Sequence, residues 1–146
     1  MPRFLGRFLK NHRATLTALA LGIAHAFTFA PWGSDWLELL VLTGFAGLLL
    51  SAIGQHAQRH GHAHRRPPPG PFRLGLLFGI GWFTAGIGWV YVSMHHYGGV
   101  AVPLAALATL LFATYLALYP ALGAWLCSRL CRRQLDATRH LSAWRF

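Results

Sequence analysis

Three observations in this 146-residue sequence predict an all-α, multi-pass integral membrane protein with four transmembrane helices and both termini cytoplasmic. Four apolar runs, at about 14–30, 37–53, 74–94 and 102–126, contain no Lys or Arg. Each is long enough to cross a hydrocarbon layer about 30 Å thick. All 13 Lys and Arg lie before the first run, between the second and third, or after the fourth. Four crossings therefore gather every cation on one face, and cations are retained on the cytoplasmic face. Turn-forming residues separate the runs, at Pro31–Trp36 and at Gly98-Gly99 on the opposite face.

The net charge of +10 follows from this topology. Nucleic-acid binding would need aromatic and base-reading polar side chains interleaved with the basic blocks, and these blocks largely lack them.

Residues 1–13 form a basic amphipathic segment. Arg3, Arg7 and Lys10 share one helical face while Phe4, Leu5, Phe8 and Leu9 occupy the other. Such a segment lies in the inner headgroup layer or simply fixes topology. The first span, 14–30, reads as an uncleaved helix, because it is long for a signal peptide and carries Phe27 and Phe29 near its end. His25 within it is expected to face a neighbouring helix. Pro31–Trp36 then makes a short outer turn, with Trp32 and Trp36 at the interface and Ser34 or Asp35 as helix cap. In the second span, Glu38 stands where a carboxylate meets the positive end of the helix dipole.

The inner loop, 54–73, has two parts. His56, His60, His62 and His64 form a histidine-rich tract, followed by Arg65, Arg66 and Pro67-Pro68-Pro69-Gly70-Pro71. The prolines favour a stiff extended spacer. Imidazoles at this density are candidate ligands for zinc, nickel or copper, but no Cys, Asp or Glu accompanies them. A solvated loop is the expected reading.

The third span is rich in glycine. Gly75, Gly79, Trp82, Gly86 and Trp89 fall on one helical stripe, and Gly81, Ala85 and Gly88 on another roughly opposite. Small residues let helices approach closely in lipid, where hydrophobicity does not drive association. Two such faces predict a central helix packed on both sides. In the fourth span, Pro103 suits a first helical turn, Tyr115 and Tyr119 stand one turn apart, and Pro120 predicts a kink near 116–120. Cys127 and Cys131 at its inner end read as packing residues, since a reducing cytoplasm disfavours a bridge. The basic tail, 132–146, shows no finishing element and is expected to be a truncated end.

The sequence offers little for local chemistry. Its carboxylates are Asp35, Glu38 and Asp136. Ser93, His95 or His96 and Asp35 could be drawn as a triad near the outer face, but without a nucleophile elbow or an oxyanion hole. No catalytic residue, cofactor or metal site is predicted.

The most informative stretch runs from Gly86 to Pro103. Trp89, Tyr91 and Tyr97 are amphipathic rings suited to headgroup level, and Gly98-Gly99 lets the chain reverse. Trp89-Val90-Tyr91-Val92-Ser93, Tyr97-Gly98-Gly99 and Ala113-Thr114-Tyr115-Leu116-Ala117-Leu118-Tyr119-Pro120 resemble the amino-terminal membrane region of bacterial apolipoprotein N-acyltransferases. The resemblance covers about Ala30 to Arg129. It implies a bacterial inner-membrane protein concerned with transfer of an acyl chain from phospholipid to the amino-terminal cysteine of lipoproteins. In that family a nitrilase-like outer domain carries a Glu-Lys-Cys catalytic set. No part of this sequence resembles that domain, so none of its catalytic residues is carried over. The implied partners are the phospholipid bilayer, lipoproteins and a nitrilase-like domain. The implied role of this chain is a membrane anchor and lipid-access wall, inactive alone. Other readings are a non-catalytic membrane scaffold and a metal-binding protein using the histidine loop.

Overall fold

Glycine and alanine faces hold the helices together in the computed structural model, which describes residues 2–28, 35–57 and 69–143, with side chains over 13–28, 35–55 and 69–134. The helices are α1 (Pro2–Ala26), α2 (Asp35–Ala57), α3 (Pro71–Gly86), α4 (Gly88–Val92) and α5 (Val102–Ala143), with a π-helical turn at Ser93–Tyr97. No strand occurs among the described residues.

Local chemistry accounts for most of the boundaries. Asp35 and Glu38 occupy the first turn of α2, facing the positive end of its dipole. Pro71 starts α3 after an extended Gly70, whose carbonyl accepts from Leu74 N–H at 3.1 Å. The Ala101 carbonyl accepts from both Leu104 and Ala105 N–H at 3.0 Å, which sets the first turn of α5.

α3 lies between α1 and α5. On one side, a Cβ added at Gly75 would stand 2.5 Å from the Pro120 carbonyl oxygen. One added at Gly79 would stand 2.7 Å from both Ala117 Cα and Pro120 Cγ. The matching face of α5 is Ala113, Ala117, Ala121 and Ala124, all buried. On the other side, a Cβ at Gly22 would strike the Phe78 carbonyl, and one at Gly81 the Leu19 carbonyl. Backbone thus meets backbone on both faces of α3, the close approach that small residues permit.

Contacts fix the directions of the helices. Ala18 packs with Leu74 and Gly22 with Phe78, so α1 and α3 run parallel. Gly75 and Gly79 meet Ala121 and Ala117, so α5 runs antiparallel to α3. Ala52 packs on Ala18 while Gly44 faces Leu21, which makes α2 antiparallel to α1. These directions place Arg13, Arg73, Arg129, Arg132 and Arg133 at one end of the bundle and Asp35 and Glu38 at the other.

The third and fourth helices differ from expectation. The expected single span at 74–94 is divided. α3 ends at Gly86, Ile87 takes φ −101° and ψ 15°, and the chain from Gly88 to Tyr97 departs at 48°. α5 passes Pro120 without interruption and reaches Ala143, so the expected span at 102–126 and the two cysteines after it belong to one longer helix. Two helical stretches, Asp35–Gln55 and Val102–Gln134, are long and apolar enough to cross a membrane, and the bent pair after Pro71 makes a third if its two helices form one span. The expected first span, 14–30, ends in residues outside the described set.

Candidate functional site

At the cation-poor end of the bundle, the chain from Gly86 to Pro103 forms a small built turn. Ile87 N–H still donates to Phe83 O at 2.9 Å, but Val90 N–H reaches only to Ile87 O, a three-residue step. That switch redirects the helix. Beyond Val92 the ladder widens again. Gly98 N–H donates to Ser93 O at 3.0 Å and Val100 N–H to Met94 O at 3.1 Å, steps of five and six residues. π-helical turns of this kind are rare in regular helices and recur at functional sites.

His95 closes the turn. Its Nδ1–H donates to the Val100 carbonyl at 2.9 Å. With Nδ1 protonated, Nε2 of the neutral ring is left as an acceptor. The His95 ring lies nearly parallel to Tyr91 at 5.8 Å and meets His96 edge-on at 5.0 Å. Gly99, at φ 64°, completes the reversal, and no non-Gly residue takes positive φ among the described residues. The turn presents Trp89 and Tyr97 outward, 69% and 88% exposed, and Trp36 at the start of α2 is 84% exposed. Broad aromatic rings with one polar atom suit a headgroup layer.

The remaining sequence-selected residues are spread through the bundle. Gly75 and Gly79 are in the α3–α5 seam with Pro120. Trp82, expected on the same stripe, turns its ring to α1 and meets His25 edge-on at 4.4 Å. Gly86 has open space around it, as does Gly88. His25 is buried in the α1–α3 interface, 5.7 Å from the Phe78 ring, and its carbonyl accepts from Thr28 Oγ1 at 2.7 Å. His56 is in the last turn of α2, its side chain outside the described set, and His60, His62 and His64 lie wholly outside it. Among the described residues, no three His, Cys, Asp or Glu side chains gather in a metal-binding group.

At the opposite end, Cys127 is exposed and Cys131 half-buried, both as free thiols. Cys131 packs on Leu49, Ile53 and Ala124 and helps line a cleft of about 430 Å³ between α2 and α5. Arg129 lies over the Trp125 ring at 4.8 Å. Sequence reasoning did not find the break at Ile87 or the His95 clasp. The flanking Gly86 and Gly88 were the available signal for the first.

Small-residue seams and an aromatic turn, with helices long and apolar enough to cross a membrane, define an all-helical protein over the described residues. The comparisons give its family. A profile described as the apolipoprotein N-acyltransferase N-terminal domain matches residues 21–145, and the chain belongs to this family. An apolipoprotein N-acyltransferase of Ralstonia nicotianae is 46% identical over 124 residues, covering 84% of this chain and 21% of the relative. One from Methylococcus capsulatus is 40% identical over 114 residues, covering 78% and 20%. Another from Azotobacter vinelandii is 39% identical over 133 residues, covering 88% and 23%. The chain thus spans about a fifth of the length of these curated relatives.

Proposed function

We propose that this chain is the amino-terminal membrane part of an apolipoprotein N-acyltransferase. It crosses the bacterial inner membrane four times, with both termini in the cytoplasm. In the whole protein it anchors and orients an outer catalytic domain and forms part of the wall along which phospholipid acyl donors approach. The acyl chain is transferred to the amino-terminal cysteine of a lipoprotein. The observation that carries this reading is the match of residues 21–145 to the family's N-terminal domain, over a fifth of the relatives' length. The aromatic turn at 88–97 supports it, because it offers rings at headgroup depth where a lipid donor and an outer domain would meet. No nucleophile, base and acid come together in the described bundle, so the chemistry is assigned to the rest of the protein.

The test is a chimera in which residues 21–145 replace the matched segment of the Ralstonia relative. The chimera is expected to acylate a diacylated lipopeptide from phospholipid in detergent, and the 146-residue chain alone is expected not to. Activity of the chain alone, or a folded chimera without activity, would overturn the proposal.

A further inference from the structure

The cleft of about 430 Å³ between α2 and α5 lies at the cation-rich end of the bundle. Leu50, Ile53 and Gly54 form its α2 side, and Leu130, Cys131 and Gln134 its α5 side. Ile53 is buried, while Leu50 and Leu130 are 56% and 52% exposed, so the cleft is apolar at its rim as well as its floor. Its volume is in the range that bound ligands occupy. A Cβ added at Gly54 meets nothing within 4 Å, so no described residue fills the space beside it.

Depth decides what can enter. Val102 begins α5 just after the aromatic turn, and Leu130 lies 28 residues further along the helix. At 1.5 Å per residue that is about 42 Å, the thickness of a bilayer with both headgroup layers. The cleft therefore stands where acyl chains meet headgroups, in the leaflet opposite the aromatic turn. Arg129 and Arg133 are exposed and one turn apart, on the stripe of α5 next to Leu130. Arg129 is held over the Trp125 ring at 4.8 Å. With Arg132 they set three guanidiniums against one carboxylate, Asp136, within residues 129–136. A guanidinium meets phosphate through two parallel N–H donors. Basic pockets between membrane helices on the cytoplasmic side bind anionic headgroups in this way.

We infer that the α2–α5 cleft is a binding site for one anionic phospholipid, with an acyl chain against Leu50, Ile53 and Leu130 and the phosphate on Arg129 and Arg133. Charge argues for this occupant. Any acyl chain would satisfy the cleft, but only a headgroup of net negative charge also satisfies the arginines beside it. The site is a bilayer's thickness from the aromatic turn, so its lipid ties α2 to α5 and is not an acyl donor. The inference stands without the acyltransferase reading.

The test is native mass spectrometry of the 146-residue chain, titrated in detergent with phosphatidylglycerol or with phosphatidylethanolamine of the same chain length. One phosphatidylglycerol is expected per chain, bound at least fivefold more tightly than phosphatidylethanolamine. Arg129→Gln with Arg133→Gln is expected to remove that preference. Arg13→Gln with Arg73→Gln takes the same charge from the same end, away from the cleft lining, and is expected to keep it. Gly54→Leu places a side chain in open space, and is expected to weaken phosphatidylglycerol at least threefold without lowering the melting temperature of the lipid-free chain. Equal losses with both arginine pairs would reduce the effect to bulk charge and overturn the proposal. So would undiminished binding by Gly54→Leu. Absence of any lipid adduct would overturn it too, and is the result expected if the loop after Gly54 or a second copy of the chain fills the cleft.

Discussion

Gly22 and Gly81 stand where the backbones of α1 and α3 touch, and their value lies in the atom they lack. An alanine methyl at either position would meet a carbonyl oxygen of the facing helix rather than a flexible side-chain end. Backbone cannot rotate away as a side chain can, so the helices must separate. Overpacking of this kind costs about 1–3 kcal/mol. Gly47, by contrast, has nothing within 4 Å of an added Cβ. There, alanine relieves the glycine propensity penalty of about 1 kcal/mol. Gly22→Ala and Gly81→Ala are therefore expected to lower thermal stability in detergent, and Gly47→Ala to keep or raise it. Equal tolerance at all three would mean that the α1–α3 seam is not the tight contact described. Helical spacing alone put Gly75 and Gly79 on one face of the third span and Gly81 on the other. It could not place Trp82, because a long ring at the margin of a stripe chooses its neighbour by contact. Here the buried His25 ring is that neighbour.

Between Gly86 and Pro103 the relevant scale is the element. An apolar run with the right composition reads as one straight helix, and only competition between hydrogen-bonding partners shows where it bends. The regular ladder ends at Ile87, whose N–H still reaches Phe83 O but whose carbonyl accepts from Val90, and the flanking Gly86 and Gly88, with open space around them, add no packing to hold it straight. The π turn is then closed by two wide backbone bonds and the His95 Nδ1–H bond to Val100 O. A net contribution of about 1 kcal/mol is typical of such a bond. His95→Phe keeps an aromatic ring beside Tyr91 but removes the donor. Amide exchange across 98–101 is expected to quicken several-fold in this variant, with exchange in α3 unchanged. If exchange at 98–101 stays at its original rate, the clasp contributes nothing to the order of the turn. The length of α5 was hidden for a related reason. Its apolar stretch gives way gradually to arginines that a helix accepts readily, so no breaker marks an end near 126.

For the molecule as a whole, charge and direction give one account. The described cations Arg13, Arg73, Arg129, Arg132 and Arg133 gather at one end because α1, α2, α3 and α5 alternate in direction along the chain, with Asp35 and Glu38 at the other. Retention of Lys and Arg on the cytoplasmic side would then orient the whole bundle, without any signal beyond its loops. The consequence is measurable with reporter fusions. Alkaline phosphatase, active only outside the cytoplasm, is expected to be active when joined after Gly33 or Gly99. Green fluorescent protein, fluorescent only inside, is expected to be bright when joined after Pro69 or Ala143. Phosphatase activity after Ala143 would put the basic end of α5 outside and reverse the bundle. Activity after both Pro69 and Gly99 would mean that the bent α3–α4 pair enters and leaves on one face. That second result is the sharper danger, since a 48° break is the geometry a re-entrant loop would also show. The tight Gly75–Ala121 and Gly79–Ala117 seams argue for full crossing. They keep α3 alongside α5 near the middle of the apolar stretch of α5, where a helix that turned back early would have no neighbour to follow.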